Sequence, residues 1–334
     1  MMKYQSLRII FMGTPEFAVA SLDALVKAGC NIVAVITAPD KPAGRSMKMN
    51  ESAVKKYAVE NNLKILQPEK LKNPEFLEAL KSYKADLQIV VAFRMLPEVV
   101  WNMPPMGTVN VHGSLLPQYR GAAPINWAVI NGEKETGVTT FKLKHEIDTG
   151  DILLQEKMPI GENETAGEIH DRMKEIGAKL LVKTVEELSA GILEERPQSA
   201  IGNRQLANEN ITDSEFHTSD IIHQTSTILH HAPKIFTETC MIDWNKTVEE
   251  IHNLVRGLSP FPAAFTKLDG KTIKVFNSEK ERISVSSKPG QWESDKKSFL
   301  KFACADGYIL LKDVQLEGKK RLLIEDFLRG YRFP

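Results

Sequence analysis

Hydrophobic positions along the first half of the chain alternate between two patterns. Largely apolar or β-branched runs of strand length stand at Leu7–Met12, Asn31–Thr37 and Leu87–Ala92, and Thr108–His112 is another strand-length segment. Between them lie amphipathic stretches with helical spacing. The clearest is Glu16–Ala28, entered through Thr14 as an expected N-cap with Pro15 at the first helical position, and closed by Gly29. A polar loop, Ala38–Asn50, leads to a further helix that runs through Asn61. Thr165 and Glu168 have capping-box spacing and open a long helix to about Ser189. Strands that do not alternate are covered on both faces. The pattern therefore predicts an α/β domain with a Rossmann-like parallel sheet flanked by helices.

The pattern changes after Ala190. Residues 191–209 contain Pro197 and many amide side chains without a sustained period, and read as a linker. Thr247 and Glu250 form a second capping box, whose helix should end at Gly257, ahead of Pro260 and Pro262. Short alternating strands follow: Ala263–Leu268 and Lys271–Asn277 around Asp269–Gly270, then Phe299–Ala303 and Tyr308–Val314 around Asp306–Gly307. An Asp-Gly pair between alternating runs is a hairpin signal. The expected organisation is a domain at residues 1–190, a linker at 191–209, and a smaller β-barrel domain, OB-like, at 210–334.

Composition narrows the class. With 42% apolar and 26% charged residues the chain is an ordinary globular one, and 334 residues are enough for two cores. The three cysteines, Cys30, Cys240 and Cys304, form no CxxC pair, which fits a reducing compartment. The apolar run after Met1 is too short for a signal-peptide core or a membrane span, so a cytoplasmic protein is expected. Net charge is zero, yet residues 251–334 carry 16 Lys and Arg against 10 Asp and Glu, a difference of +6. The basic charge collects in this last part of the C-terminal domain, most densely at Lys319-Lys320-Arg321.

The segment richest in possible chemistry is Asn110 to Gly121. Asn110 and His112 lie two apart on a strand and so share a face, at the carboxyl end where ligands bind open α/β sheets. An Asn amide can donate to a carbonyl oxygen that becomes negative, and an imidazole can donate or accept a proton near neutrality. A second polar cluster, His145 to Asp151, falls between two strand-like runs and can return a carboxylate to the rim of the sheet. Asn, His and Asp together suit acyl transfer without a covalent nucleophile, and no G-x-S-x-G elbow is present. Taken singly, His112 reads as a hydrogen-bonded strand-end residue, Asp148 as turn chemistry, and Gly13-Thr14-Pro15 as a tight turn rather than a phosphate cradle.

Asn110-Val111-His112-Gly113-Ser114-Leu115-Leu116-Pro117, with Tyr119-Arg120-Gly121-Ala122-Ala123-Pro124 and Asp148-Thr149-Gly150-Asp151, resembles the signature of the folate-dependent formyltransferases. The resemblance implies Asn110, His112 and Asp148 as a catalytic trio. It implies Ser114, Leu115, Leu116 and Pro117 as folate contacts, and 10-formyltetrahydrofolate as formyl donor with no metal. Phe11 to Ala18, Pro39 to Arg45, Ile242-Asp243-Trp244, Val255 to Pro262 and Glu325 to Gly330 are similar to the branch that formylates initiator methionyl-tRNA. That likeness implies tRNA contacts at Arg45, Lys319, Lys320 and Arg321, with no membrane and no obligate protein partner. The alternative acceptor is a sugar-nucleotide amine. The chain departs from the family at Phe93-Arg94, where a Tyr-Gly pair is usual beside the folate pocket. It also departs after Arg45, where Ser46-Met47-Lys48-Met49 carries fewer lysines.

Overall fold

The computed structural model describes residues 3–43, 48–199 and 229–333. Two compact units are present. The first comprises residues 1–120, 137–157 and 172–231, the second residues 121–136, 158–171 and 232–334.

The first unit is built on a seven-stranded sheet in the spatial order Ile152–Pro159, Glu135–Lys142, Thr108–His112, Leu87–Val91, Arg8–Gly13, Asn31–Ile36 and Ile65–Leu66. The last five strands are mutually parallel. Glu135–Lys142 joins antiparallel, with Asn110 opposite Phe141 and His112 opposite Thr139. Ile9, Ile10, Phe11 and Met12 are all fully buried, as are Leu87, Ile89 and Val91, so both faces of the central strands are covered. Burying each such side chain contributes roughly 1.5–3 kcal/mol. The expected Rossmann-like sheet is present, extended at one edge by the antiparallel pair.

Helix Glu16–Lys27 presents Phe17, Ala18, Ser21, Leu22 and Leu25 to the core. Its N-cap is Pro15 with no side-chain cap, so Thr14 does not take the expected capping role. Gly13 is required by packing: a Cβ there would stand 2.6 Å from the Cβ of Ala18 and 3.1 Å from the carbonyl oxygen of Val91. Within the loop expected at Ala38–Asn50, Lys41–Ala43 pairs antiparallel with Lys48–Asn50. Helix Pro74–Ser82, absent from the sequence expectations, is capped by the Asn73 side chain, which accepts from the Glu75 N–H at 3.0 Å. The Thr165–Glu168 capping box forms as expected: Glu168 accepts from the Thr165 N–H at 2.8 Å, and Thr165 accepts from the Glu168 N–H.

The second unit packs helix Val248–Leu258 against an antiparallel sheet that curls as a half-barrel. Its path runs Ala264–Leu268, Lys271–Glu281, Gly307–Leu316, Leu300–Cys304 and Trp292–Ser294, with Leu322–Leu323 paired to Gly307–Leu316. Thr247 and Glu250 form the expected capping box. Asp269 and Gly270 both have positive φ, 50° and 77°, as a two-residue hairpin turn with right-handed twist demands. Ile251, Val255, Leu258, Phe302 and Leu311 make the core, and the ring of Trp244 stacks on Phe302 at 4.6 Å. No helix among the described residues is long and apolar enough to cross a membrane.

Candidate active site

Strand Thr108–His112 ends with Asn110 half-buried and His112 buried on one face. After it the chain folds back on itself. The Ser114 hydroxyl donates to the carbonyl oxygen of Gln118 at 2.6 Å, and Tyr119, in the left-handed region at φ 57°, turns its carbonyl oxygen to within 2.9 Å of His112 Nε2. The Tyr119 ring stacks on His230, whose carbonyl oxygen accepts from the Tyr119 N–H at 2.7 Å.

Asp148 comes from the loop between Glu135–Lys142 and Ile152–Pro159. Its Oδ2 stands 3.9 Å from His112 Nδ1, and both side chains are nearly closed to solvent, at 8% and 12%. Asp148 is itself left-handed, at φ 54°. Gly150 explains how the loop reaches this position: a Cβ there would lie 1.5 Å from the carbonyl oxygen of Lys142. Only glycine lets the loop press so closely on the end of its own strand. The ring of Phe141 meets His112 edge-on, with centroids 6.4 Å apart.

The segment Ser114–Pro117 is fixed from within. Thr139, fully buried, donates its hydroxyl to the Ser114 carbonyl at 2.7 Å and accepts from the Leu116 N–H at 3.1 Å. Gln155 donates to the Leu116 carbonyl at 2.9 Å. Leu116 is a core side chain packed with Phe141 and Ile152. Leu115 lies over Gly137, where a Cβ would come within 2.5 Å of it. Ser114 and Leu116 therefore point inward, while Leu115 and Pro117 are half-buried. At the departure from the family pattern, the Arg94 guanidinium donates to the carbonyl oxygens of Glu69, at 2.7 Å, and Pro68.

The structure brings His112 and Asp148 within 3.9 Å of each other, with Asn110 two residues before His112 on the same strand. Arg45 lies outside the described residues. Lys319, Lys320 and Arg321 belong to the second unit, beside the turn at Gly318. Sequence reasoning missed Thr139, Gln155 and Gln198, which hold the site's backbone. No group of three His, Cys, Asp or Glu among the described residues is placed to hold a metal ion.

Residues 7–185 match the family model described as formyl transferase, and residues 234–332 that of the formyl transferase C-terminal domain. The chain belongs to the formyl transferase family. It is 49% identical over 335 residues to the methionyl-tRNA formyltransferase of Bacteroides fragilis, covering 99% of this chain and 97% of that one. Among solved structures it is similar to the N-formyltransferase from Helicobacter canadensis in complex with folinic acid and dTDP-3-aminofucose. There the TM-score is 0.62 at 20% identity, over 91% of this chain and 98% of that one. It also resembles a variant of HypX from Aquifex aeolicus, with TM-score 0.61, 18% identity and 98% of this chain covered, but it spans only 48% of that chain. At such identity the two structures speak for the formyl transferase fold and not for an acceptor.

Proposed function

We propose that this formyl transferase moves the formyl group of 10-formyltetrahydrofolate onto the free α-amine of initiator methionyl-tRNA, in the cytoplasm, giving formylmethionyl-tRNA for translation initiation. One observation carries the chemistry: His112 is clamped between the Tyr119 carbonyl and the Asp148 carboxylate, at the end of the strand that also presents Asn110. Identity of 49% across nearly the whole of both chains supports this acceptor, and the amino-sugar enzymes are distant at 20%. The site's donor set suits a reduced folate carrying a formyl group. It offers a neutral amide for the oxygen, an imidazole for the proton, and a carboxylate for the positive charge.

The chemistry follows from these groups. A carbonyl oxygen can only accept, so His112 Nε2 carries a hydrogen toward Tyr119 and Nδ1 is the nitrogen left for proton transfer. Asn110 donates to the oxygen of the formyl group as the amine nitrogen bonds to its carbon, a contribution on the order of 100- to 1,000-fold for one such donor. His112 Nδ1 takes the proton released by the amine, and Asp148 balances the resulting positive charge. When the tetrahedral centre collapses, the bond from the formyl carbon to the folate nitrogen breaks, and His112 returns the proton to that nitrogen. Ser114 to Pro117 form the wall against which the folate lies. Residues 1–190 hold the donor, residues 191–209 connect, and residues 210–334, with Arg45, Lys319 and Lys320, hold the tRNA, while Arg321 beside them is paired with Asp313.

The test is acceptor choice. Purified full-length protein is incubated with 10-formyltetrahydrofolate and, separately, methionyl-tRNA, free methionine and a dTDP-amino sugar. Formylmethionyl-tRNA is the expected product; formylation of the amino sugar with methionyl-tRNA untouched would overturn the assignment.

A further inference from the structure

Gln198 lies in the stretch whose sequence reads as a linker, yet it is 5% exposed. Its amide nitrogen donates to two carbonyl oxygens, that of Asp148 at 2.8 Å and that of Gly150 at 2.9 Å. Its amide oxygen accepts from two nitrogens of Arg120, Nε at 3.0 Å and a terminal guanidinium nitrogen. A glutamine has two donor hydrogens and two acceptor lone pairs, so all four positions are filled. The partners also fix which end is which, because carbonyls only accept and guanidinium nitrogens only donate.

These are the two backbone segments that flank His112. Arg120 directly follows Tyr119, whose carbonyl holds His112 Nε2, and Asp148 faces Nδ1. Gln198 thus ties together, from behind, the two segments that grip the imidazole. It grips Asp148 where the backbone is least able to hold itself, since a non-glycine residue at φ 54° is in a sparsely populated region. The segment bearing Gln198 is itself docked. Ile152 and Arg196 exchange backbone hydrogen bonds at 2.8 and 2.9 Å, and Lys142 pairs with Glu195.

We propose that Gln198 is a positioning residue for formyl transfer, setting the placement of Asp148 against His112. This rests on the assignment of Asp148 and His112 to the reaction. The role belongs to the amide hydrogens. Glutamate at 198 keeps the shape and the acceptor for Arg120 but turns a carboxylate oxygen toward two carbonyl oxygens.

The experiment is a double-mutant cycle in the full chain, with kcat and KM measured for 10-formyltetrahydrofolate and methionyl-tRNA, and melting followed to confirm folding. Gln198→Glu should lower kcat by about 10- to 100-fold, the range for a group displaced by about an ångström, and leave both KM values within about threefold. Gln198→Met, which keeps volume and cannot donate, should match it, and serves alone if the glutamate variant does not fold. In an Asp148→Ala background neither substitution should lower kcat further, because the positioned group is gone. A kcat within about twofold of wild type for a folded Gln198 variant overturns the proposal, as does a loss that multiplies in full on top of Asp148→Ala. If Asp148→Ala itself keeps normal turnover, the assignment of the trio fails first, and the role of Gln198 falls with it.

Discussion

The carbonyl oxygen of Tyr119 accepts from Nε2 of His112 at 2.9 Å, and this bond settles the ring's hydrogen before any substrate arrives. With Nε2 occupied, Nδ1 is turned to Asp148 at 3.9 Å, too long for a direct hydrogen bond, in a nearly closed site. The imidazole thus has one nitrogen anchored and one available, facing the Asp148 carboxyl group.

Replacing Asn110, His112 or Asp148 by alanine should each lower kcat at least about 100-fold, the scale for losing an oxyanion donor or a proton-transfer group. None of the three side chains belongs to an apolar core cluster, so circular dichroism should be unchanged. The reaction centre lies elsewhere if all three folded variants retain kcat within about tenfold of wild type.

Thr139 should matter to the donor and to the fold together. Its hydroxyl donates to the Ser114 carbonyl and accepts from the Leu116 N–H and from Gln155. Thr139→Val keeps the shape and leaves those buried backbone groups unpaired, at a cost of roughly 1–3 kcal/mol. Urea unfolding should show that loss, and KM for 10-formyltetrahydrofolate should rise as the Ser114–Pro117 wall relaxes. Unchanged stability and unchanged KM would mean the hydroxyl is not what sets the wall.

The legible parts of this molecule were those encoded over a few residues. The capping boxes at Thr165 and Thr247, the Asp269–Gly270 turn and the shared face of Asn110 and His112 are local, and each formed. Asp306–Gly307 shows how local chemistry can mislead. Strand pairing sets Cys304 opposite Gly307, so the turn residues are Ala305 and Asp306. Asp306 accepts instead from the Val248 N–H at 2.7 Å, capping a distant helix, and Gly307 is needed because a Cβ would meet the Glu281 carbonyl at 2.2 Å. Gln198 was illegible for a related reason. Its partners are 48 to 78 residues away, and nothing in a stretch without periodicity announces a buried amide.

His252 predicts an acid limit to stability. It is buried on helix Val248–Leu258, where Nδ1 accepts from the Ser278 hydroxyl at 3.0 Å and Nε2 donates to Asn163 at 3.1 Å. Burial first, then the nearby charges of Lys280 and Arg256, push its pKa down to about 4, against the smaller opposing effects of Glu249 and Glu162. The unfolded chain binds this proton near pH 6.5 and the folded chain only near 4, so stability is full above about 6.5 and falls as pH drops toward 4. The total is on the order of 3 kcal/mol. Unfolding free energies measured from pH 7 to 4.5 should fall less steeply for His252→Gln than for wild type, and parallel curves would show that His252 is not the group responsible.

The basic cluster near the C-terminus divides into two kinds of charge, and that division can be measured. Arg321 is committed within the protein. Its Nε lies 2.9 Å from each oxygen of Asp313, a terminal nitrogen lies at 2.6 Å, and its guanidinium covers the ring of Phe276 at 4.2 Å. Lys319 and Lys320 are exposed beside the turn at Gly318, and among the described residues no carboxylate pairs with either. A phosphate meeting Arg321 must compete with Asp313, whereas one meeting the two lysines displaces only water and counterions. Each phosphate contact through a lysine steepens the salt dependence of binding by about 0.7 to 0.9 log units per log unit of salt. Lys319→Ala with Lys320→Ala should therefore weaken tRNA binding at low salt and flatten that slope by up to about twice this amount, alike for initiator and elongator tRNA, since phosphate contacts carry little sequence information. Arg321→Ala should leave the slope unchanged and lower stability by about 1 kcal/mol, the scale of an exposed ion pair with a cation–π contact. The measurement is tRNA affinity across a salt series for both variants, with thermal unfolding alongside. Equal slopes for wild type and the double lysine variant would remove this turn from the tRNA path, and a slope that changes only with Arg321→Ala would mean that Asp313 gives up its partner when tRNA binds.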